Sequence, residues 1–109
     1  MKTVFLYAGQ GSQKAGMGKD LYEEFATYRN VIDRMLIETD LKYYMHEASL
    51  EELSKTEITQ PCMASFAAGV TAVLKEHQIV PDAACGLSLG EYGALHTVNY
   101  ITVCCKFFV

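Results

Sequence analysis

The stretch Gly86-Leu87-Ser88-Leu89-Gly90 constrains this chain more than any other part of it. Its G-x-S-x-G form is that of a nucleophile elbow: a strand enters a tight turn, a serine sits at the apex, and a helix leaves. Glycine on both flanks makes steric sense, because a Cβ two residues before or after the serine would collide with the adjoining strand or helix. The turn exposes the hydroxyl and aims a helix N-terminus at it, so backbone N–H groups can stabilise an oxyanion. The chemistry expected of such a site is acyl transfer or hydrolysis. Five residues are a short motif, so its neighbours have to carry the rest.

A chain of 109 residues holds one domain at most, and its 50% apolar content is enough for a core. Nine basic against thirteen acidic residues give a net charge of −4, which argues against a nucleic-acid surface. Cys62, Cys85, Cys104 and Cys105 show no C-x-x-C spacing, and the adjacent pair cannot form an ordinary bridge. They read as unpaired, buried thiols of a reducing cytoplasm. The apolar run Val4–Ala8 is too short for a signal sequence or a membrane span. No membrane partner, no bound cofactor and no metal-ligand set is read.

The pattern along the chain is β–loop–α…α–β–elbow–α, which points to a parallel α/β sheet flanked by helices. Thr3–Ala8 reads as a buried strand leading into the loop Gly9-Gln10-Gly11-Ser12-Gln13. Asp20 to Leu36 reads as one amphipathic helix, with Leu21, Phe25, Ile32 and Leu36 at helical spacing. Asp20 with Glu23 resembles a capping box, and Ser49 with Glu52 forms a cleaner one for a short helix at Leu50–Ser54. Gln60-Pro61 is expected to open the longest helix, because proline suits a first turn. Cys62, Phe66, Val70, Val73 and Leu74 make one face of that helix, and His77 falls in its last turn. After Val80-Pro81-Asp82, Ala83–Leu87 reads as a short buried strand, and Glu91–His96 as the helix leaving the elbow.

The first glycine loop fits neither common phosphate-binding pattern. A dinucleotide fold needs a third glycine where Lys14 stands; a P-loop needs glycine at Gln13 and a hydroxyl at Asp20. Taken together, Gly9-Gln10-Gly11-Ser12-Gln13, Thr59-Gln60-Pro61 and Gly86-Leu87-Ser88-Leu89-Gly90-Glu91-Tyr92 resemble the malonyl-CoA:acyl carrier protein transacylases in order and spacing. The resemblance covers roughly Val4 to Leu95 and extends to the acyltransferase domains of polyketide synthases.

That resemblance implies a partial α/β-hydrolase-like acyltransferase core, with residues 1–97 the N-terminal part of a catalytic domain and the family's ferredoxin-like subdomain absent. It implies transfer of a malonyl group from malonyl-CoA to the phosphopantetheine thiol of acyl carrier protein, in fatty acid biosynthesis. Coenzyme A enters as the substrate's thioester and not as a resident cofactor. Ser88 matches the nucleophile, and the backbone N–H groups of Gln10 and Leu89 match the oxyanion hole. Gly9 and Gly11 let the loop approach the acyl group. Gln60 matches a substrate-pocket glutamine, against the plain alternative of a polar residue at a helix start. Ser12 and Gln13 brace the loop. Leu87 replaces the family's commonest histidine before the serine, which affects the pocket and not the reaction.

Other features depart from the family. Its base is a far-downstream histidine, and its carboxylate-binding arginine lies about two dozen residues past the serine; this chain has 21 residues after Ser88 and no arginine among them. His96 is eight residues past Ser88, about 12 Å along a helix axis, where a base must come within about 3 Å. His46 reads as a loop residue and His77 as a helix end. The apolar, β-prone tail Val98–Val109 reads either as a closing strand or as the product of a shifted reading frame. The chain is therefore expected to be an N-terminal portion of a cytoplasmic transacylase, inactive alone. Two rival readings are a thioesterase or lipase-like serine hydrolase, and a non-catalytic fragment that binds the carrier protein.

Overall fold

The computed structural model describes residues 1–35 and 37–97. Leu36 and the apolar tail, on which two of the expectations above fall, lie outside the described residues. The elements are β1 (Val4–Tyr7), α1 (Lys19–Glu24), α2 (Ala26–Asp33), a π-helical turn (Tyr43–Glu47), α3 (Leu50–Leu53), α4 (Thr56–Glu76), β2 (Ala83–Gly86) and α5 (Gly90–Thr97). The strands pair in parallel, with Val4 opposite Ala83 and Tyr7 opposite Gly86. Parallel pairing needs a crossover, and the three helices and the π turn that precede α4, with α4 itself, supply it. Asp82 anchors the register: its carboxylate accepts the Thr3 N–H at 2.7 Å, and its own N–H reaches the Thr3 carbonyl at 2.8 Å.

The core lies between α2, α4 and the π turn. Tyr28, Ile32, Leu41, Met45, Leu53, Cys62 and Val73 form one buried cluster. The small residues of α4 allow this closeness, and the Tyr28 ring lies directly over Gly69. Burial pushes the Cys62 thiol up to about 12 and raises the Tyr28 hydroxyl as well, so both stay neutral.

Several expectations are corrected. The helix expected over Asp20–Leu36 is two helices, broken at Phe25, whose backbone is extended (φ −110°, ψ 113°) and ends α1 while starting α2. The Arg29 guanidinium makes the break tolerable by donating to the Tyr22 and Glu23 carbonyls at 3.2 and 3.3 Å. Asp20 is no cap; Gly18 precedes α1, and the Asp20 carboxylate accepts the adjacent Leu21 N–H. Of the Ser49–Glu52 box the serine half forms, with the Glu52 N–H donating to Ser49 Oγ at 3.2 Å, while the Glu52 carboxylate meets the Ser49 hydroxyl and not its N–H.

The longest helix opens at Thr56, five residues before Pro61. Pro61 is buried within it, and the Thr59 hydroxyl donates to the Lys55 and Leu53 carbonyls nearby. His46 stands in the π turn and not in a loop. Neither strand is fully buried, since each presents one face outward: Val4 and Leu6 are 50% and 78% exposed, and Cys85 is an exposed thiol where a buried one was expected.

Tyr7 ties the strand layer to the helices. Its hydroxyl bonds the Thr71 hydroxyl on α4 at 2.7 Å and the Thr97 hydroxyl on α5. Its ring lies against Gly93, where an added Cβ would come within 2.5 Å of Cδ1. Tyr7→Phe is therefore expected to lower unfolding stability by about 1–2 kcal/mol, because two threonine hydroxyls lose a shared partner. Urea unfolding checks this, and an unchanged midpoint and slope would count against the tie.

Candidate active site

The chain enters the elbow from β2 and leaves into α5. Leu87 N–H donates to the Tyr7 carbonyl at 3.1 Å, extending the parallel ladder one residue past the strand. Ser88 then adopts φ +53°, a left-handed backbone that costs a non-glycine residue on the order of 1 kcal/mol or more. Close packing holds it there. An added Cβ at Gly86 would lie 2.1 Å from the Gly90 carbonyl, and one at Gly90 would lie 2.2 Å from the Tyr7 carbonyl oxygen. The flanking glycines are thus required by contact, as the motif suggested. Ser88 itself is exposed, at the mouth of the turn.

The glycine loop reaches the same turn. Gly9 is buried, and a Cβ on it would meet the Leu87 carbonyl oxygen at 2.6 Å, so loop and elbow are in backbone contact. Ser12 N–H to the Gly9 carbonyl, 3.3 Å, closes a turn with Gln10 and Gly11 at its centre; Gly11 takes φ +112°, which favours glycine. The Gln10 side chain is occupied elsewhere, donating to Thr56 Oγ1 at 3.1 Å.

Donor accounting sorts the backbone N–H groups around the serine. In the first turn of α5, the N–H groups of Gly90, Glu91 and Tyr92 go to the carbonyls of Leu87, Ser88 and Leu89. Gly11 N–H goes to Gln13 Oε1 at 2.8 Å. Among the described residues, the N–H groups of Gln10 and Leu89 donate to nothing. Leu89 follows Ser88 directly, and Gln10 follows Gly9, which is in backbone contact with Leu87.

Gln60 is half-buried on α4. It lies one turn beyond Thr56, so the two share a face of the helix. That face continues through Met63 and Ala67 to Thr71, and meets the glycine loop at Thr56 and the strand at Thr71. A cavity of about 370 Å³ opens between this stripe and β1, lined by Phe5, Tyr7, Met63, Phe66, Val70 and Leu89 among others. None of its lining residues is charged, and Ser88, Gln10 and Gln60 are not among them. It suits an apolar side chain and not a carboxylate.

His46 and His77 stand in elements other than the elbow and its helix. His77 Nδ1 meets the Val73 carbonyl at 2.9 Å at the end of α4, as its helix-end reading required. His46 packs edge-on to Tyr22 with ring centroids 5.2 Å apart. His96 is in the last turn of α5. Among the described residues, no helix is long and apolar enough to cross a membrane.

The acyl transferase domain family matches residues 4–104. The chain belongs to that family. It is 42% identical over 96 residues to the malonyl CoA-acyl carrier protein transacylase of Bacillus subtilis, an alignment covering 86% of this chain and 30% of that protein. Its structure superposes on the malonyl CoA-acyl carrier protein transacylase of Clostridium perfringens with a TM-score of 0.88 at 33% identity, over 94% of this chain and 33% of the other. A malonyl-transacylase solved in complex with its type II PKS acyl-carrier protein gives a TM-score of 0.82 at 31% identity, over 89% of this chain and 32% of the other. The chain thus spans about a third of the length of these relatives. The resemblance drawn from three short motifs holds at the level of family and fold.

Burial lowers the His46 pKa, outweighing the opposing pull of Glu47, and its Nε2 is buried without a partner. Protonation is therefore favoured more in the unfolded chain, which binds more protons below the ordinary histidine value of about 6.5. Stability contributed by neutral His46 is present above that pH and lost as pH falls below it. Denaturant titrations from pH 8 to 5 should show this loss, and His46→Phe should flatten it; an unchanged slope in the variant would contradict the assignment.

Proposed function

We propose that this chain carries the nucleophile and oxyanion donors of an enzyme that moves a malonyl group from malonyl-CoA to the phosphopantetheine thiol of acyl carrier protein. Ser88 Oγ attacks the thioester carbonyl. The new Oγ–C bond forms as the C–S bond breaks, and coenzyme A leaves as the thiol with the serine's proton. The carrier's thiol then attacks the malonyl-serine ester, taking the acyl group and returning a proton to Ser88. The negative oxygen of each tetrahedral intermediate is held by the N–H groups of Gln10 and Leu89. Such chemistry serves fatty acid biosynthesis in the cytoplasm. The single observation that carries the reading is the pair of unspent backbone N–H groups flanking a strained, exposed serine. The three relatives described above add the acyl group and the carrier.

Proton transfer is the step this chain supports least. Ser88 needs a base within about 3 Å; His77 Nδ1 is at the Val73 carbonyl, and His46 lies in the π turn against the Tyr22 ring. His96 lies in the last turn of α5, six residues beyond its start at Gly90 and so about 9 Å along the helix axis from there. The isolated chain should therefore transfer several powers of ten more slowly than a complete triad-type acyl enzyme.

Imidazole tests the reading by supplying a base from solution. With malonyl-CoA present, intact-mass spectrometry should detect one malonyl group per chain, accumulating faster as imidazole is raised, and peptide mapping should place it on Ser88. Ser88→Ala should abolish it. Modification that persists in Ser88→Ala, or that maps to the exposed Cys85 thiol, would remove the serine-nucleophile reading.

A further inference from the structure

The glycine loop has a precision problem. Its donor must stay within a few tenths of an ångström of one position, yet Gly9 and Gly11 are the least restrained residues available. The restraint comes from hydroxyls more than forty residues away, at the junction of α3 and α4. Gln13 Nε2 donates to Ser54 Oγ at 3.1 Å, and Gln10 Nε2 donates to Thr56 Oγ1 at 3.1 Å.

The Ser54 hydroxyl has one proton, and it is committed to the Leu50 carbonyl at 2.6 Å. A carbonyl can only accept, so Ser54 must accept from Gln13. Gln13 therefore turns its NH₂ toward Ser54 and its oxygen inward, where it takes the Gly11 N–H at 2.8 Å. A one-way relay results: Gly11 N–H to Gln13, Gln13 to Ser54, Ser54 to Leu50. It uses up the Gly11 N–H and leaves the neighbouring Gln10 N–H unspent.

We infer that Ser54 and Thr56 are positioning residues for the oxyanion donor: the Ser54–Gln13 relay ties down the Gly11 N–H beside it, and Thr56 holds the side chain of the residue that bears it. This rests on the transferase reading above only for what the donor is used for; the relay itself is a property of the loop.

The test is solvent-exchange NMR on the ¹⁵N-labelled chain, with thermal unfolding as a control. Gly11 N–H should exchange slowly, and Ser54→Ala should speed it about tenfold while shifting the Gln10 amide resonance and leaving the unfolding midpoint nearly unchanged. Ser54→Thr, which keeps the hydroxyl, should restore both. Thr56→Ala should move the Gln10 resonance and leave Gly11 slow. Gly11 exchanging as fast as in an unstructured peptide, no response to Ser54→Ala, or no rescue by threonine would each overturn the relay. Ser88 acylation by malonyl-CoA on the same samples with imidazole added gives a separate answer: a slow Gly11 beside a Ser88 that stays unreactive at high imidazole would remove the transferase reading and leave the relay standing.

Discussion

The elbow rests on Tyr7. Its carbonyl accepts the Leu87 N–H and lies so close to Gly90 that no side chain fits there. Its ring packs on Gly93 and its hydroxyl joins α4 to α5. One residue thus fixes the level at which the chain leaves β2, the direction in which α5 sets off, and the distance between sheet and helix. Ser88 is forced into a left-handed backbone because β2 and α5 are both already committed to Tyr7. The strain of the apex is supported by ordinary packing one layer below it.

The same economy governs the donors. A helix start leaves N–H groups unpaired, and a tight glycine turn does likewise. In this chain most of those groups are spent locally, on Leu87, Ser88 and Leu89 carbonyls and on Gln13. The N–H groups of Gln10 and Leu89 are among those that remain. The catalytic potential of the site thus depends as much on which donors are consumed as on which side chains are present.

Features set by backbone contact were legible in the sequence. Gly86 and Gly90 read as places without room for a Cβ, and both are; the Ser49 cap and the helix-end histidine also follow from local chemistry. Features set by distant partners were not. The apolar spacing of Asp20–Leu36 suggested one helix, because nothing local reveals that Arg29 will cap the carbonyls of a break at Phe25. Proline's preference for a first turn misplaced the start of α4, which opens five residues earlier at Thr56 and carries a buried Pro61 inside it. Ser54 and Thr56 carry no signal at all, because a lone hydroxyl gains meaning only from the loop that reaches it. The outward face formed by Val4, Leu6, Ala83 and Cys85 was missed because an apolar run reads as buried on both sides.

The central claim is geometric: an oxygen carried on Ser88 falls between the N–H groups of Gln10 and Leu89. A crystal structure of the chain with a phosphonyl adduct on Ser88, whose tetrahedral oxygen stands in for the oxyanion, measures this directly. The account predicts that oxygen at about 2.7–3.1 Å from both nitrogens, with Gly11 N–H still held by Gln13. An adduct oxygen turned to solvent, or bonded to Gly11 in place of Gln10, would contradict it.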